Sequence, residues 1–454
     1  MPTTITFCGG AGSVTGANFL LKTDRAAILV DCGLQQGGEL TEGINWKPFP
    51  YDPSIIDVLF VTHSHIDHIG RIPKLVRDGF RGRIISTEAT RAVAGALLED
   101  SAMLLEIVAK RTEHPILYDA HDIEAAMKLW EGVPYHTPQS LPDGLSFEFI
   151  DAGHILGSAM VKISRGGRTI VFTGDLGGSS VLLPPRDSAV GAQYVVMESV
   201  YGDRTHPYED PNTRRDNLRR AIVETAHRGG VLLIPAFATE RTQDLLFELR
   251  TIYADGGIPE VPVYLDAPLA EKLTASFLAH PQYFNDEMHA RITMGENIFS
   301  FPQLHVVADT EASHALDQVR GPKVIIAGSG MAQGGRVLQH EKTVLQDPHS
   351  TLLIVGYQVA GSLGRRLIDG AKQVTIMGEK IPVHCRVEQN LGYSAHLDGP
   401  HLLEFIEEAK ETVEEVFVVM GEPVSAGFLV QRMRDHLGIN ARAPENGNSF
   451  PIEL

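Results

Sequence analysis

The stretch Thr62-His63-Ser64-His65-Ile66-Asp67-His68 decides how this chain is read. It follows Asp57-Val58-Leu59-Phe60-Val61, a short apolar run with β-branched residues, which reads as a buried strand. Ile69 to Phe80 then places apolar residues at helical spacing, with Gly79 as a stop signal. The imidazoles and the carboxylate therefore crowd into one strand-to-helix turn. Neutral imidazoles suit zinc and related divalent ions, and a carboxylate adds charge and can bridge or act as a base. The turn reads as a metal site.

Working outward, Ile5 to Cys8, Asn18 to Thr23 and Ala26 to Val30 read as short strands. The loop punctuated by Gly9, Gly10, Gly12 and Gly16 lacks the lysine and following helix of a P-loop. Asp31 ends the third strand, where a carboxylate can orient a ligating histidine from behind. Thr90 to Lys110 and Asp122 to Trp130 read as core-facing helices. Two further strands end in candidate ligands: Ser146 to Ile150 leads to His154, and Arg168 to Thr173 leads to Asp175. Each ligand sits beside a glycine, and Gly166-Gly167 marks a hairpin before the second strand.

From Tyr194 the pattern changes. Strand-like runs at Gly230 to Ala236, Val261 to Leu265, Lys323 to Ala327 and Thr351 to Gly356 alternate with helical stretches such as Thr239 to Tyr253 and Gln333 to Val344. Alternation of this kind implies an open parallel sheet, with ligands collecting at the carboxyl ends of its strands. Ser329 and Gly330 lie where a strand is expected to feed a helix, so their backbone N–H groups are candidate phosphate donors. Arg204, Arg241, Arg336, Arg365 and Arg366 are candidate clamps, since arginine grips phosphate oxygens in pairs. Arg214-Arg215 and Arg219-Arg220 read as the solvated face of a helix starting near Asn212. The expected division is 1–199, an inserted α/β domain at 200–380, and a return to the first domain at 381–454.

The chain has 454 residues, 43% hydrophobic and 21% charged, which suits an ordinary globular protein of two or three domains. A formal net charge of −18 argues against broad adhesion to nucleic acid, although metal ions and local arginines can make a cleft positive within an acidic envelope. Three cysteines with no C-x-x-C suit a reducing compartment. Cys32, beside Asp31, reads as a small buried thiol. No signal peptide or membrane-spanning run is read, so a cytoplasmic enzyme is expected, with no membrane partner.

His63-Ser64-His65-Ile66-Asp67-His68, His154, Asp175 and Asp31 together resemble the motifs of the metallo-β-lactamase superfamily. Three later strings resemble its β-CASP branch of nucleic-acid-processing nucleases: Met197-Glu198-Ser199-Val200-Tyr201-Gly202-Asp203-Arg204, Gly328-Ser329-Gly330-Met331 and Tyr393-Ser394-Ala395-His396-Leu397-Asp398. In layout the chain is similar to compact prokaryotic ribonucleases related to the endonuclease subunit of pre-mRNA 3′-end cleavage. The resemblance implies an α/β fold, an αββα sandwich with an inserted parallel-sheet domain. It also implies that His63, His65 and His154 hold one zinc, that Asp67 and His68 hold a second, and that Asp175 bridges them. Glu198 matches the carboxylate that holds an imidazole, and His396 matches that imidazole, a general acid for the departing O3′. The catalytic set is then Asp67, Glu198 and His396, acting on single-stranded RNA as an endonuclease and also as a 5′-exonuclease. Family habit implies a homodimer.

One position departs from the pattern. Val418-Val419-Met420-Gly421-Glu422 has methionine where RNA-cleaving members carry a histidine that completes the second zinc site. A thioether is a poor partner for zinc or manganese. A weak second site and manganese dependence follow as expectations. The alternatives are a DNA nuclease, because DNA-processing members carry an apolar residue there, and a weakly active or inactive member that binds RNA.

Overall fold

The structure, a computed structural model, describes residues 3–37, 43–178, 180–205, 211–332, 334–359 and 361–454. It divides into two compact units. The first is Met1–Gly178 with Pro184–Thr205 and His396–Leu454, and the second is Ser179–Leu183 with His206–Ala395.

Among the described residues, the first unit holds two seven-stranded sheets. One runs in the order Ser449–Ile452, Thr3–Gly9, Asn18–Lys22, Ala27–Val30, Val58–Phe60, Arg83–Ser86 and Trp130–Gly132. The other runs Ala441–Arg442, Glu415–Val418, Tyr194–Met197, Arg168–Phe172, Ala159–Arg165, Ser146–Asp151 and Gln139–Ser140. Thr3–Gly9 alternates buried and half-buried positions, the period-two pattern of a strand with one face on a core. Phe7, Phe19 and Phe60 from the first sheet share one apolar core with Phe147, Phe149, Phe172 and Phe417 from the second. The rings of Phe60 and Phe147 lie 4.6 Å apart, and those of Phe7 and Phe417 lie 5.3 Å apart. Behind the second sheet, Val195 and Met197 pack with Leu402, Phe405 and Ile406 of the helix Gly399–Glu408 and Leu429 of the helix Pro423–Arg432. The first sheet alternates with the helices Ile72–Arg77, Glu88–Thr112 and Ala120–Lys128. This is an α/β chain with a four-layer sandwich.

The helix expected over 69–80 is broken. It forms as Ile66–Ile69 and Ile72–Arg77, with Gly70 and Arg71 between them and Pro73 in the first turn of the second piece. Proline lacks the N–H that a continuous helix would need there. Residues 120–128 form the second core-facing helix, and Trp130 begins a strand instead of ending that helix.

The second unit is built on a six-stranded sheet, Leu304–Val306, Val263–Asp266, Lys323–Ala327, Val231–Pro235, Thr351–Ile354 and Arg386–Gln389. Every neighbouring pair in it is parallel. The expected division at 380/381 falls elsewhere for a hydrogen-bonding reason. Gln373–Ile376 pairs antiparallel with Glu379–Pro382, and Arg386–Gln389 then adds to the edge of the parallel sheet. The chain therefore stays with the second unit to Ala395. At the other end the first unit continues past 199, and Tyr201 forms a bridge with Asp398 of the same unit.

The helix expected near Asn212 spans Pro211–His227, but Arg214 is not on its solvated face. It is buried, and its Nε and Nη2 donate to Glu248 Oε1 at 2.9 and 2.5 Å. Tyr393 completes the cluster: its hydroxyl donates to Glu248 Oε2, and Arg214 lies 4.7 Å over its ring. Arg219 and Arg220 make partly exposed pairs with Asp255 and Glu388.

Candidate metal centre

The Thr62–His68 turn is held from beneath by Asp31. Asp31 ends the strand Ala27–Val30 with φ 61°, a left-handed backbone that directs its carboxylate at the turn. Its Oδ1 accepts from the Thr62 N–H at 2.8 Å, and its Oδ2 accepts from Thr62 Oγ1 at 2.8 Å and His68 Nδ1 at 2.7 Å. From the facing sheet, Gly174 approaches the same threonine. A Cβ at Gly174 would lie 2.6 Å from Thr62 Cβ, so only glycine lets Asp175 enter beside the turn.

The donors converge in two groups, with His63, His68, His154 and Asp175 buried and His65 and Asp67 half-buried. His63 Nε2 lies 3.0 Å from His65 Nδ1, which lies 3.2 Å from His154 Nε2. Asp175 Oδ2 sits 3.4 Å from His63 Nε2 and 3.5 Å from His154 Nε2. The other carboxylate oxygen, Oδ1, faces His68 Nε2 at 3.3 Å, and Asp67 Oδ2 is 3.8 Å from that nitrogen. His68 Nε2 and Asp175 Oδ1 are buried without a hydrogen-bond partner among the described residues. Buried polar atoms left this way cost free energy unless something else satisfies them.

The electrostatics point the same way. Burial holds His65 and His154 well below the ordinary histidine range, and it lowers His63 as well. Their nitrogens therefore present lone pairs to one another, which a cation between them would satisfy. His68 is different: burial opposes its charged form, but Asp175, Asp31 and Asp67 raise it well above the usual value. Burial also opposes charge on Asp175, and His68 and His63 nonetheless hold its carboxyl well below the usual carboxylate range. A pocket that attracts a proton this strongly also attracts a metal cation, which binds in its place. The donor set fits divalent cations.

Next to this cluster, His396 Nδ1 donates to Glu198 Oε1 at 3.1 Å. Glu198 is buried and is fixed by the N–H groups of Leu176 and Val200, at 2.6 and 3.3 Å. Burial disfavours the imidazolium, but the Glu198 carboxylate overrides it and lifts His396 to about 9. The His396 and His154 rings lie 4.7 Å apart.

Met420 is buried, with φ 45°. It belongs to the apolar core between the sheets and packs against Gly10, where a Cβ would lie 2.6 Å from its sulfur. Its N–H donates to the Gly10 carbonyl at 2.7 Å. The residue is seated as a core side chain.

The candidate phosphate contacts are less uniform. Arg241 is buried, and its Nη1 donates to the Tyr393 carbonyl at 2.6 Å and lies 2.8 Å from Asp244. Arg336 donates to the buried Asp266 at 2.6 Å, and Arg365 pairs with Asp369 at 3.1 Å one helical turn on. Arg366 is exposed, and Arg204 lies 3.6 Å from Asp203. Ser329 and Gly330 follow the strand Lys323–Ala327, but the next helix starts only at Val337, so their N–H groups are not at a helix start. Gly330 is held instead on the Phe237 ring, with its carbonyl accepting from Gln358 Nε2 at 2.8 Å. The helix expected from Gln333 begins outside the described residues in that reading; in the structure it runs Val337–Val344. Sequence reading gave Thr62 no role and missed the Arg214–Glu248–Tyr393 cluster. A threonine between an apolar strand and a histidine-rich turn was the available signal for the first.

A four-layer sandwich whose strand ends converge buried imidazoles and carboxylates on two adjoining positions defines a metal-dependent hydrolase. Residues 14–190 match the metallo-beta-lactamase superfamily, residues 242–367 the Beta-Casp domain, and residues 380–444 the Zn-dependent metallo-hydrolase RNA specificity domain. Ribonuclease TTHA0252 of Thermus thermophilus is 38% identical, over 91% of this chain and 94% of its own length. Transcription termination factor FttA of Methanosarcina mazei is 32% identical, over 97% of this chain and 70% of its own length. A crystal structure of a protein of unknown function from Enterococcus faecalis shares the fold, with a TM-score of 0.55, 12% identity and coverage of 100% of both chains. The chain belongs to the β-CASP family of the metallo-β-lactamase superfamily. Among the described residues, no helix is long and apolar enough to cross a membrane.

Proposed function

We propose that the chain is a zinc-dependent ribonuclease that hydrolyses phosphodiester bonds in single-stranded RNA, as an endonuclease and also from the 5′ end. The observation that carries this reading is the His396–Glu198 pair, 3.1 Å apart, beside the donor cluster. It rests further on the family and on the ribonuclease among the relatives.

His63, His65 and His154 with Asp175 would hold one zinc, and Asp67 and His68 with Asp175 the other. Such ions, when bound, polarise the phosphoryl oxygens and make an attacking water acidic near neutral pH. The remaining work falls to the chain's own side chains. Glu198 takes the Nδ1–H of His396 and so leaves Nε2 as the atom that delivers a proton to the departing O3′. The P–O3′ bond breaks as the water oxygen bonds to phosphorus, leaving a 5′-phosphate and a 3′-hydroxyl. Asp67, whose side chain is 18% exposed, is the carboxylate open to accept the water's proton. Ser329, Gly330 and the partly exposed Arg204 are the proposed phosphate contacts. Arg241 and Arg336 are withdrawn from that role by buried carboxylate partners, whereas Arg365, whose pair with Asp369 is partly exposed, stays a proposed contact.

One observation favours a second reading, a DNA nuclease: the core-seated Met420 leaves the second position with Asp67, His68 and the shared Asp175. Digestion of RNA and DNA of one sequence, side by side in zinc and manganese, decides between them. Cleavage of RNA alone supports the first reading, and cleavage of DNA alone overturns it. A cytoplasmic homodimer accompanies the proposal, and its mass in solution tests the dimer.

A further inference from the structure

Thr62 sits between the two groups of metal donors. Its hydroxyl lies 2.8 Å from Asp31 Oδ2, 3.1 Å from His63 Nδ1 and 3.4 Å from His68 Nδ1. All four side chains are buried, so no solvent competes for these bonds. Hydrogen-bond polarity then fixes who donates. An ionised carboxylate only accepts, and a hydroxyl has one proton to give. Asp31 Oδ2 therefore takes the Thr62 proton, and the Thr62 oxygen is left as an acceptor towards His63. The proton of neutral His63 must sit on Nδ1, and its lone pair must sit on Nε2, the atom that faces His65 and Asp175. His68 reaches the same result by a separate route, because its Nδ1–H donates directly to Asp31 at 2.7 Å.

We propose that Thr62 is a positioning residue for metal binding. It relays the Asp31 charge to His63 and so sets the tautomer of that ligand of the first position, while Asp31 alone sets that of His68. The proposal rests on the metal reading above. It separates the two positions in a way the ligands themselves do not, because His63 depends on the hydroxyl and His68 does not.

Thr62→Val keeps the shape and removes the relay; Thr62→Ser keeps the relay and removes a methyl. Histidine side-chain ¹⁵N spectra of the metal-free protein read the tautomer directly. Zinc titration against a competing chromophoric chelator reads the affinity of each position. His63 is expected to be protonated at Nδ1 in the native and serine proteins and to lose that preference in the valine variant. Zinc affinity at the first position should fall roughly 10–100-fold in the valine variant, the usual effect of removing a ligand's hydrogen-bond partner, and recover with serine. Affinity at the second position should change little. An unaltered His63 tautomer and unaltered zinc affinity in Thr62→Val overturn the proposal. So does an equal loss at both positions that serine does not restore. Native protein that binds no zinc overturns the metal reading itself, and with it the metal-positioning role, while the metal-free spectra then still decide whether Thr62 sets the His63 tautomer.

Discussion

Replacing Arg214 by methionine tests the buried cluster of the second unit. Arg214 and Glu248 are 1% and 0% exposed, and the guanidinium gives the carboxylate two hydrogen bonds. Methionine fills much of the arginine stem's volume, so the main loss is the charge partner. Leaving one half of such a pair buried alone costs about 3–5 kcal/mol. At about 2–4 °C per kcal/mol for a unit of this size, the midpoint of its unfolding should drop by roughly 6–20 °C. The loss should depend on pH. Burial already raises Glu248 above its ordinary value, and removing Arg214 raises it further. The folded variant then holds a proton that the unfolded chain releases, so its stability falls as pH rises above the unfolded carboxyl value. The deficit should be small near pH 4.5 and full near pH 8. Thermal unfolding followed by circular dichroism at both pH values measures it. Glu248→Gln added to Arg214→Met should recover most of the loss at pH 8. A deficit below about 1 kcal/mol, the level of an exposed pair, or one equal at both pH values, would refute the reasoning.

Three further outcomes follow. Glu341 has both carboxylate oxygens buried with no hydrogen-bond partner among the described residues, and burial lifts it to about 9. Glu341→Gln should therefore stabilise the protein progressively as pH rises from about 4.5 towards 9, by a few kcal/mol at the upper end, and have little effect below pH 4; denaturant midpoints at pH 4 and 8 check the sign. Glu198→Gln should slow RNA cleavage about 10²–10⁴-fold, while a phosphodiester with a p-nitrophenolate leaving group, which needs no proton, should lose far less; equal losses on both substrates would remove His396 from the acid role. Met420→His restores the imidazole that the family pattern carries at this position, a donor that suits zinc, and titration calorimetry should show tighter uptake of the second zinc equivalent; unchanged uptake means that position 420 serves only the core.

Much of the sandwich and the donor cluster was legible because the signals are local. The alternation along Thr3–Gly9 and the crowding of His63 to His68 need no distant partner to interpret. His154 and Asp175 were readable as strand-end residues beside glycines. What the sequence hid was long-range pairing. Arg214 looks like one of several helix-face arginines until Glu248 and Tyr393 are seen to bury it. Arg241 is likewise withdrawn by Asp244 and the Tyr393 carbonyl. The second unit's limit was misplaced because Arg386–Gln389, a short polar strand, joins a sheet edge whose neighbour lies far back in the chain. The break at Gly70-Arg71 has a sequence signal in Pro73, which the helical spacing of apolar residues over 69–80 masks.

The most direct test of the central claim strips the protein of metal and adds zinc back while following a 5′-labelled single-stranded RNA, beside Asp175→Ala. Asp175 has an oxygen facing each donor group, so its loss should disable both positions. The account predicts no cleavage without metal, cleavage restored by zinc in the native protein, and none at any zinc concentration in the variant. Cleavage by the stripped native protein, or undiminished cleavage by pure Asp175→Ala, would contradict it.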